Sequence, residues 1–234
     1  MTSESRIFCA LDTDNLERAK DLAARVGPVT GALKVGMEFV NSFGPQGIEA
    51  VQEACPEAAL FIDLKFHDIP NTVAGAVRSV CARFAPAYLN VHAAGGAEMM
   101  RAAKDACAPG TKLLAVTILT SLDHAQLRAV GYEGQTVADS VKRLARLTKE
   151  SGLDGVVCSA LEIALLRESC GPDFELMVPG IRPAGADKGD QKRVMGPSEA
   201  LAAGATHLVI GRPITQAPDP AAAARAILDE IASS

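Results

Sequence analysis

The stretch Ile7-Phe8-Cys9-Ala10-Leu11-Asp12-Thr13-Asp14 decides the fold. Its five leading apolar residues show no polar alternation, which suits a strand covered on both faces, as in parallel sheets. The turn that follows carries no glycine. An open, doubly wound sheet that binds a nucleotide is expected to place G-x-G-x-x-G at that turn. Beyond it, Leu16, Ala19, Leu22, Ala23 and Val26 fall at the three-and-four spacing of an amphipathic helix. A strand, a glycine-free turn and a helix together favour a closed barrel over an open sheet, provided the unit repeats.

It does repeat. Apolar runs recur at 7–11, 32–35, 59–64, 88–91, 113–119, 155–158, 176–178 and 207–210, with helix-like stretches between them. Val137, Val141, Leu144 and Ala145 show the helical spacing again. Pro197-Ser198 and Asp219-Pro220 look like helix starts, and Ala203-Gly204-Ala205 like a helix stop. With 234 residues, each of eight units takes about 29, compact for a fold of about 250. No linker or charge block divides the chain, so the expectation is an α/β protein: a single (β/α)8 TIM barrel over residues 1–234.

Barrels of this kind place their chemistry at the C-terminal ends of the strands. Strand one ends in Asp12, strand two carries Lys34, and strand three continues as Phe61-Ile62-Asp63-Leu64-Lys65-Phe66-His67-Asp68-Ile69-Pro70. Alternation puts Asp63 and Lys65 on one face. Burying either charge alone would cost several kcal/mol. Lys34 is therefore expected to complete a Lys–Asp–Lys row, with Asp68 as a second carboxylate. A salt-bridged belt that merely closes the barrel is the plainer alternative. Strand five ends in Leu119-Thr120-Ser121, a hydroxyl pair that serves a ligand or begins a turn. The strand-seven loop holds Gly180, Arg182 and then a polar stretch, 184–193, suited to a lid or an ordinary surface loop; the strand-eight loop holds Gly211 and Arg212. These two loops form the common phosphate site of such barrels.

Composition sets the outer limits. The formal charge is −5 from 23 basic and 28 acidic side chains, so no global field favours nucleic acid and any phosphate must be gripped locally. No apolar run is long enough to span a bilayer, and no signal-peptide pattern opens the chain, so no membrane partner and a cytoplasmic location are expected. Cys9, Cys55, Cys81, Cys107, Cys158 and Cys170 form no C-x-x-C pair and read as buried or partly buried thiols. His67, His92, His124 and His207 lack metal-ligand spacing, and no metal is expected. His92, at the end of strand four, reads as a packing or hydrogen-bonding residue.

The segment Asp63-Leu64-Lys65-Phe66-His67-Asp68-Ile69-Pro70-Asn71-Thr72 resembles the D-x-K-x-x-D-I-P-N-T signature of the orotidine 5′-phosphate decarboxylase family. Seven further segments fall in that family's order, among them Leu33-Lys34-Val35-Gly36, Gly189-Asp190-Gln191-Lys192-Arg193 and Ile210-Gly211-Arg212-Pro213-Ile214. The resemblance implies decarboxylation of orotidine 5′-monophosphate to uridine 5′-monophosphate with no metal or organic cofactor. It implies Lys65 as the cation and proton donor at C6, Asp63 and Asp68 near the substrate carboxylate, and Lys34 balancing them. For the aspartates, both repulsion of that carboxylate and pre-organisation of the lysine are open. It further implies Asp12 and Lys34 at the ribose, Ile69, Thr120 and Ser121 among the substrate contacts, and Arg182, Gln191, Gly211 and Arg212 at the phosphate. A homodimer is implied in which Asp68 and Thr72 act across the interface. Two alternatives remain: a magnesium-assisted phosphosugar decarboxylase or aldolase, whose acidic ligand would stand where Lys34 does, and a non-catalytic nucleotide-binding barrel.

Overall fold

The computed structural model describes residues 6–132, 136–183 and 195–233. Eight parallel strands close into a barrel in sequence order. They are β1 (Ile7–Ala10), β2 (Ala32–Gly36), β3 (Ala59–Phe66), β4 (Tyr88–His92), β5 (Lys112–Val116), β6 (Gly155–Val157), β7 (Glu175–Pro179) and β8 (His207–Ile210). Closure is made by β1, which pairs with both β2 and β8.

The outer layer is helical: α1 (Leu16–Thr30), α2 (Met37–Ala54), α3 (Pro70–Phe84), α4 (Gly96–Asp105), α5 (His124–Ala129), α6 (Val137–Glu150), α7 (Ile163–Cys170), α8 (Pro197–Ala202), α9 (Arg212–Thr215) and α10 (Pro220–Ala232). The expected helical faces are the buried ones: Ala19, Leu22, Ala23 and Val26 in α1, and Val141, Leu144 and Ala145 in α6. Asp219 caps α10, accepting from the backbone N–H groups of Ala221 at 3.1 Å and Ala222 at 3.2 Å. At α8 the cap is Gly196, with Pro197 opening the helix.

The strands look uniformly apolar because they have two apolar environments. One set of strand residues, including Ile7, Cys9, Leu33, Leu60, Ile62 and Leu89, packs against the helices. The alternate set forms a separate cluster inside the barrel: Phe8, Ala10, Ala32, Phe61, Tyr88, Leu114, Met177 and Val209. Phe8 meets Phe61 and Tyr88 edge to face, at centroid distances of 6.0 and 5.4 Å, so the lumen is packed rather than open. Lys34, Asp63 and Asn90 occupy the same alternate positions one step further along β2, β3 and β4, which aims them at the upper end of that lumen. At the opposite end Glu175 pairs with Lys112 and lies 3.3 Å from His207 Nδ1.

Two strand ends differ from the sequence expectation by more than one residue. Strand β5 stops at Val116, because its neighbours β4 and β6 end level with it in the pairs His92↔Val116 and Val116↔Val157. Thr120 and Ser121 therefore belong to a turn, half-buried and exposed respectively, and do not end a strand. Strand β3 runs two residues beyond Leu64, and its last part is irregular. Its ladder with β4 jumps from Ile62↔Leu89 to Phe66↔Val91, four residues of β3 advancing against two of β4.

Candidate active site

The irregularity at the end of β3 shapes the site. Lys65 lies in the left-handed region at φ 53°, a conformation that costs a residue with a Cβ about 1–2 kcal/mol. Simple alternation brings Asp63 to the lumen, and this bulged conformation brings the Lys65 ammonium back onto it. Lys65 Nζ donates to Asp63 Oδ1 at 2.6 Å. On the other carboxylate oxygen, Lys34 Nζ stands 3.4 Å from Asp63 Oδ2 and donates to Asp12 Oδ1 at 2.9 Å. The expected alternating row thus exists as Asp12–Lys34–Asp63–Lys65. Gly36 leaves room for it, since a Cβ there would sit 2.8 Å from Lys34 Nζ and 2.9 Å from Asp12 Oδ1.

Electrostatics follow from this packing. Burial by itself disfavours the Lys34 ammonium, but Asp63 and Asp12 outweigh it and hold the group above the ordinary lysine range. Burial likewise opposes the Asp63 carboxylate, but Lys34, Lys65 and the Asn90 amide together keep it below the ordinary range. Lys34 and Asp63 are thereby both charged at neutral pH. His92 shifts the other way, lowered by burial and then by His67 and Lys65. Its ring centroid is 5.5 Å from that of His67, a proximity that their distance in sequence does not reveal.

Above the row opens a cleft of about 490 Å³. From the row it is lined by Asp12, Lys34, Asp63 and Lys65, and from the loops after β7 and β8 by Gly180, Arg182, Gly211 and Arg212. Gly180 turns the chain at φ 78°, where a side chain would be strained. One wall therefore carries paired charges, and the far end carries two arginines beside two glycines, the composition that grips a phosphate through forked donors and close backbone approach. A larger groove of about 740 Å³ lies outside the barrel, between 93–96 and α6, lined by α6 charges together with apolar side chains such as Leu144 and Leu147.

Several expected residues are placed elsewhere. Asp68 is exposed and does not join the row within one chain; its Oδ1 instead accepts from the backbone N–H of Ile69 at 2.7 Å. Ile69 is 66% exposed, and Thr72 is exposed in the first turn of α3. Thr120 and Ser121 are not among the residues lining the cleft. Gln191 lies outside the described residues. Conversely, Glu38, Thr215 and Gln216 line the cleft without having been singled out. Asn90 was also missed. It is fully buried, donates to Asp63 Oδ1 at 2.7 Å and accepts from the Lys65 N–H at 2.8 Å. Its only signal in the sequence is a single amide within the otherwise apolar run 88–91.

Comparison with known proteins finds similarity over nearly the whole chain. A relative from Thermobifida fusca, named orotidine 5′-phosphate decarboxylase, is 57% identical over 225 residues, covering 96% of this chain and 95% of its own. Another of that name, from Moorella thermoacetica, is 51% identical over 240 residues, covering 99% and 94%. Among solved structures, orotidine 5′-phosphate decarboxylase from Lactobacillus acidophilus superposes with a TM-score of 0.84 at 38% identity, over 97% of this chain and 99% of that one. Residues 5–227 match the family model described as orotidine 5′-phosphate decarboxylase / HUMPS, and with the barrel and its charged row in place the chain belongs to that family.

Proposed function

We propose that the protein is a single-domain decarboxylase that converts orotidine 5′-monophosphate to uridine 5′-monophosphate and CO2, the step that completes pyrimidine nucleotide synthesis. One observation carries this: a buried Lys34–Asp63–Lys65 row at the floor of a cleft whose far end holds Arg182 and Arg212.

The chemistry needs such a row. Breaking the bond from C6 to the carboxylate leaves an electron pair in the ring plane, where the π system cannot delocalise it. A fixed cation beside C6 stabilises that pair as it forms. Lys65 is that cation; it then passes one proton to C6 and regains it from water. Asp63, held anionic by two lysines, stands near the departing carboxylate and orients Lys65. Lys34 neutralises the row and, with Asp12, meets the ribose hydroxyls. Arg182, Gln191, Gly211 and Arg212 take the phosphate, while Thr120 and Ser121 approach the pyrimidine. Binding energy from the remote phosphate contributes to the transition state rather than merely tightening substrate.

The site is completed by a second copy of the chain. Asp68, Ile69 and Thr72 project from the start of α3 with an exposed apolar side chain between two polar ones, a surface suited to entering a neighbour's cleft. A cytoplasmic location belongs to the same proposal and is supported by six free thiols. The magnesium-assisted phosphosugar alternative is disfavoured because the β2 position where its acidic ligand is expected holds Lys34, whose ammonium would repel a divalent cation.

The deciding experiment follows the absorbance of orotidine 5′-monophosphate on addition of EDTA-treated protein. Its loss, with uridine 5′-monophosphate as product, is expected. No turnover, or turnover only after a divalent metal is restored, would overturn the proposal.

A further inference from the structure

We propose that Asn90 is a positioning residue for this decarboxylation, holding the Lys65 main chain and the Asp63 carboxylate in register through one amide group. The inference rests on the function proposed above and concerns how its catalytic lysine is held.

Lys65 is the weak point of the row. It sits in a left-handed conformation, within a stretch where β3 has slipped against β4, and its side chain is the most exposed of the Lys34–Asp63–Lys65 triad. Nothing in a regular ladder would keep it there. Its N–H donates to Asn90 Oδ1 at 2.8 Å, so a side chain supplies the acceptor for a backbone group in the irregular part of the ladder. The other end of the same amide donates to Asp63 Oδ1 at 2.7 Å, the oxygen that also receives Lys65 Nζ at 2.6 Å. Asn90 therefore grips both ends of the Asp63–Lys65 pair and leaves Asp63 little freedom to turn.

Packing alone does not call for an asparagine here. The residue is fully buried and faces Leu114 across the β4–β5 ladder, a setting that an apolar side chain would fill without needing partners. Its amide is used on two groups of the neighbouring strand, both belonging to the charged row. It is not among the residues lining the cleft, so its role is to act through Asp63 and Lys65.

Two variants test this. Asn90→Ala loses both hydrogen bonds, whereas Asn90→Asp keeps the shape and the acceptor for the Lys65 N–H but sets a carboxylate against Asp63. Each is purified, melted, titrated with uridine 5′-monophosphate to count competent sites, and assayed beside the parent. A fall of about 10- to 100-fold in kcat per competent site is expected, the range for losing a hydrogen bond to a charged group. KM for orotidine 5′-monophosphate and Kd for uridine 5′-monophosphate should stay within threefold, because the phosphate end is untouched. A kcat within threefold of the parent in either folded variant would overturn the positioning role. So would a loss explained by fewer competent sites, by KM and Kd worsening in step with kcat, or by the failure of both variants to fold. An inactive parent would instead refute the proposed function itself.

Discussion

Replacing Lys65 with alanine separates the chemistry from the scaffold. The charge being removed would act at hydrogen-bonding distance from C6, about 3 Å. With an effective dielectric constant of about 20, two unit charges at that separation interact by about 5 kcal/mol, worth about 10⁴-fold in rate. The scaffold loses far less. Lys65 is 27% exposed in its side chain, which screens its ion pair, and Asp63 keeps Lys34 at 3.4 Å and the Asn90 amide at 2.7 Å. A melting temperature within about 3 °C of the parent is expected, since about 1 kcal/mol moves a chain of this size by about 2–4 °C. The assay is loss of orotidine 5′-monophosphate absorbance at saturating substrate, with uridine 5′-monophosphate binding measured on the same preparation. A folded variant that binds the product normally and turns over within tenfold of the parent would refute the role of Lys65.

Arg212→Ala should mainly weaken binding of the phosphorylated substrate, by about 2–5 kcal/mol, the range for losing one partner of a buried charge pair; phosphite added with unphosphorylated orotidine should restore part of the parent's phosphate effect, and no rescue would place the phosphate elsewhere. Mixing inactive Lys65→Ala with inactive Asp68→Asn protein should regenerate activity, because the hybrid dimer contains one site with both native groups; silence after verified subunit exchange would remove Asp68 from the partner's site. Lys34→Met should cost about 2–3 kcal/mol of stability, below the usual range for breaking a buried pair because Asp63 retains two partners. Asp63 is held below its ordinary range, so its contribution is present above the unfolded carboxylate value and lost as pH falls through the lower folded value. Lys34 is held above its range, so its contribution is present at neutral pH and lost only in strong alkali. The gap in melting temperature between parent and variant should therefore be widest near neutrality and narrow in acid; a gap that widens on acidification would contradict the pairing.

How much of this was legible beforehand depended on the reach of the interactions. The barrel could be read because each strand is a local apolar run and each helix a local period; Asp219 capping α10 is legible for the same reason. The charged row was legible in kind, since Asp63 and Lys65 are two residues apart on a strand and a lone buried charge is too costly to stand. The turn around Thr120 was not, because where β5 ends is settled by how short β6 is, and nothing near Thr120 records that. Nor was the His67–His92 proximity, which needs β3 and β4 side by side.

The amino-acid sequence by itself determined the number of units, their order, the charges at the strand ends and the arginines beside glycines after strands seven and eight. Each is a property of neighbouring residues. Only the tertiary structure decided that β3 slips against β4, that Lys65 folds back from a left-handed backbone onto Asp63, and that Asn90, 25 residues further along the chain, holds both. A hydrogen bond reaches about 3 Å, and whether two residues far apart in the chain come within that distance is decided by the closure of the barrel.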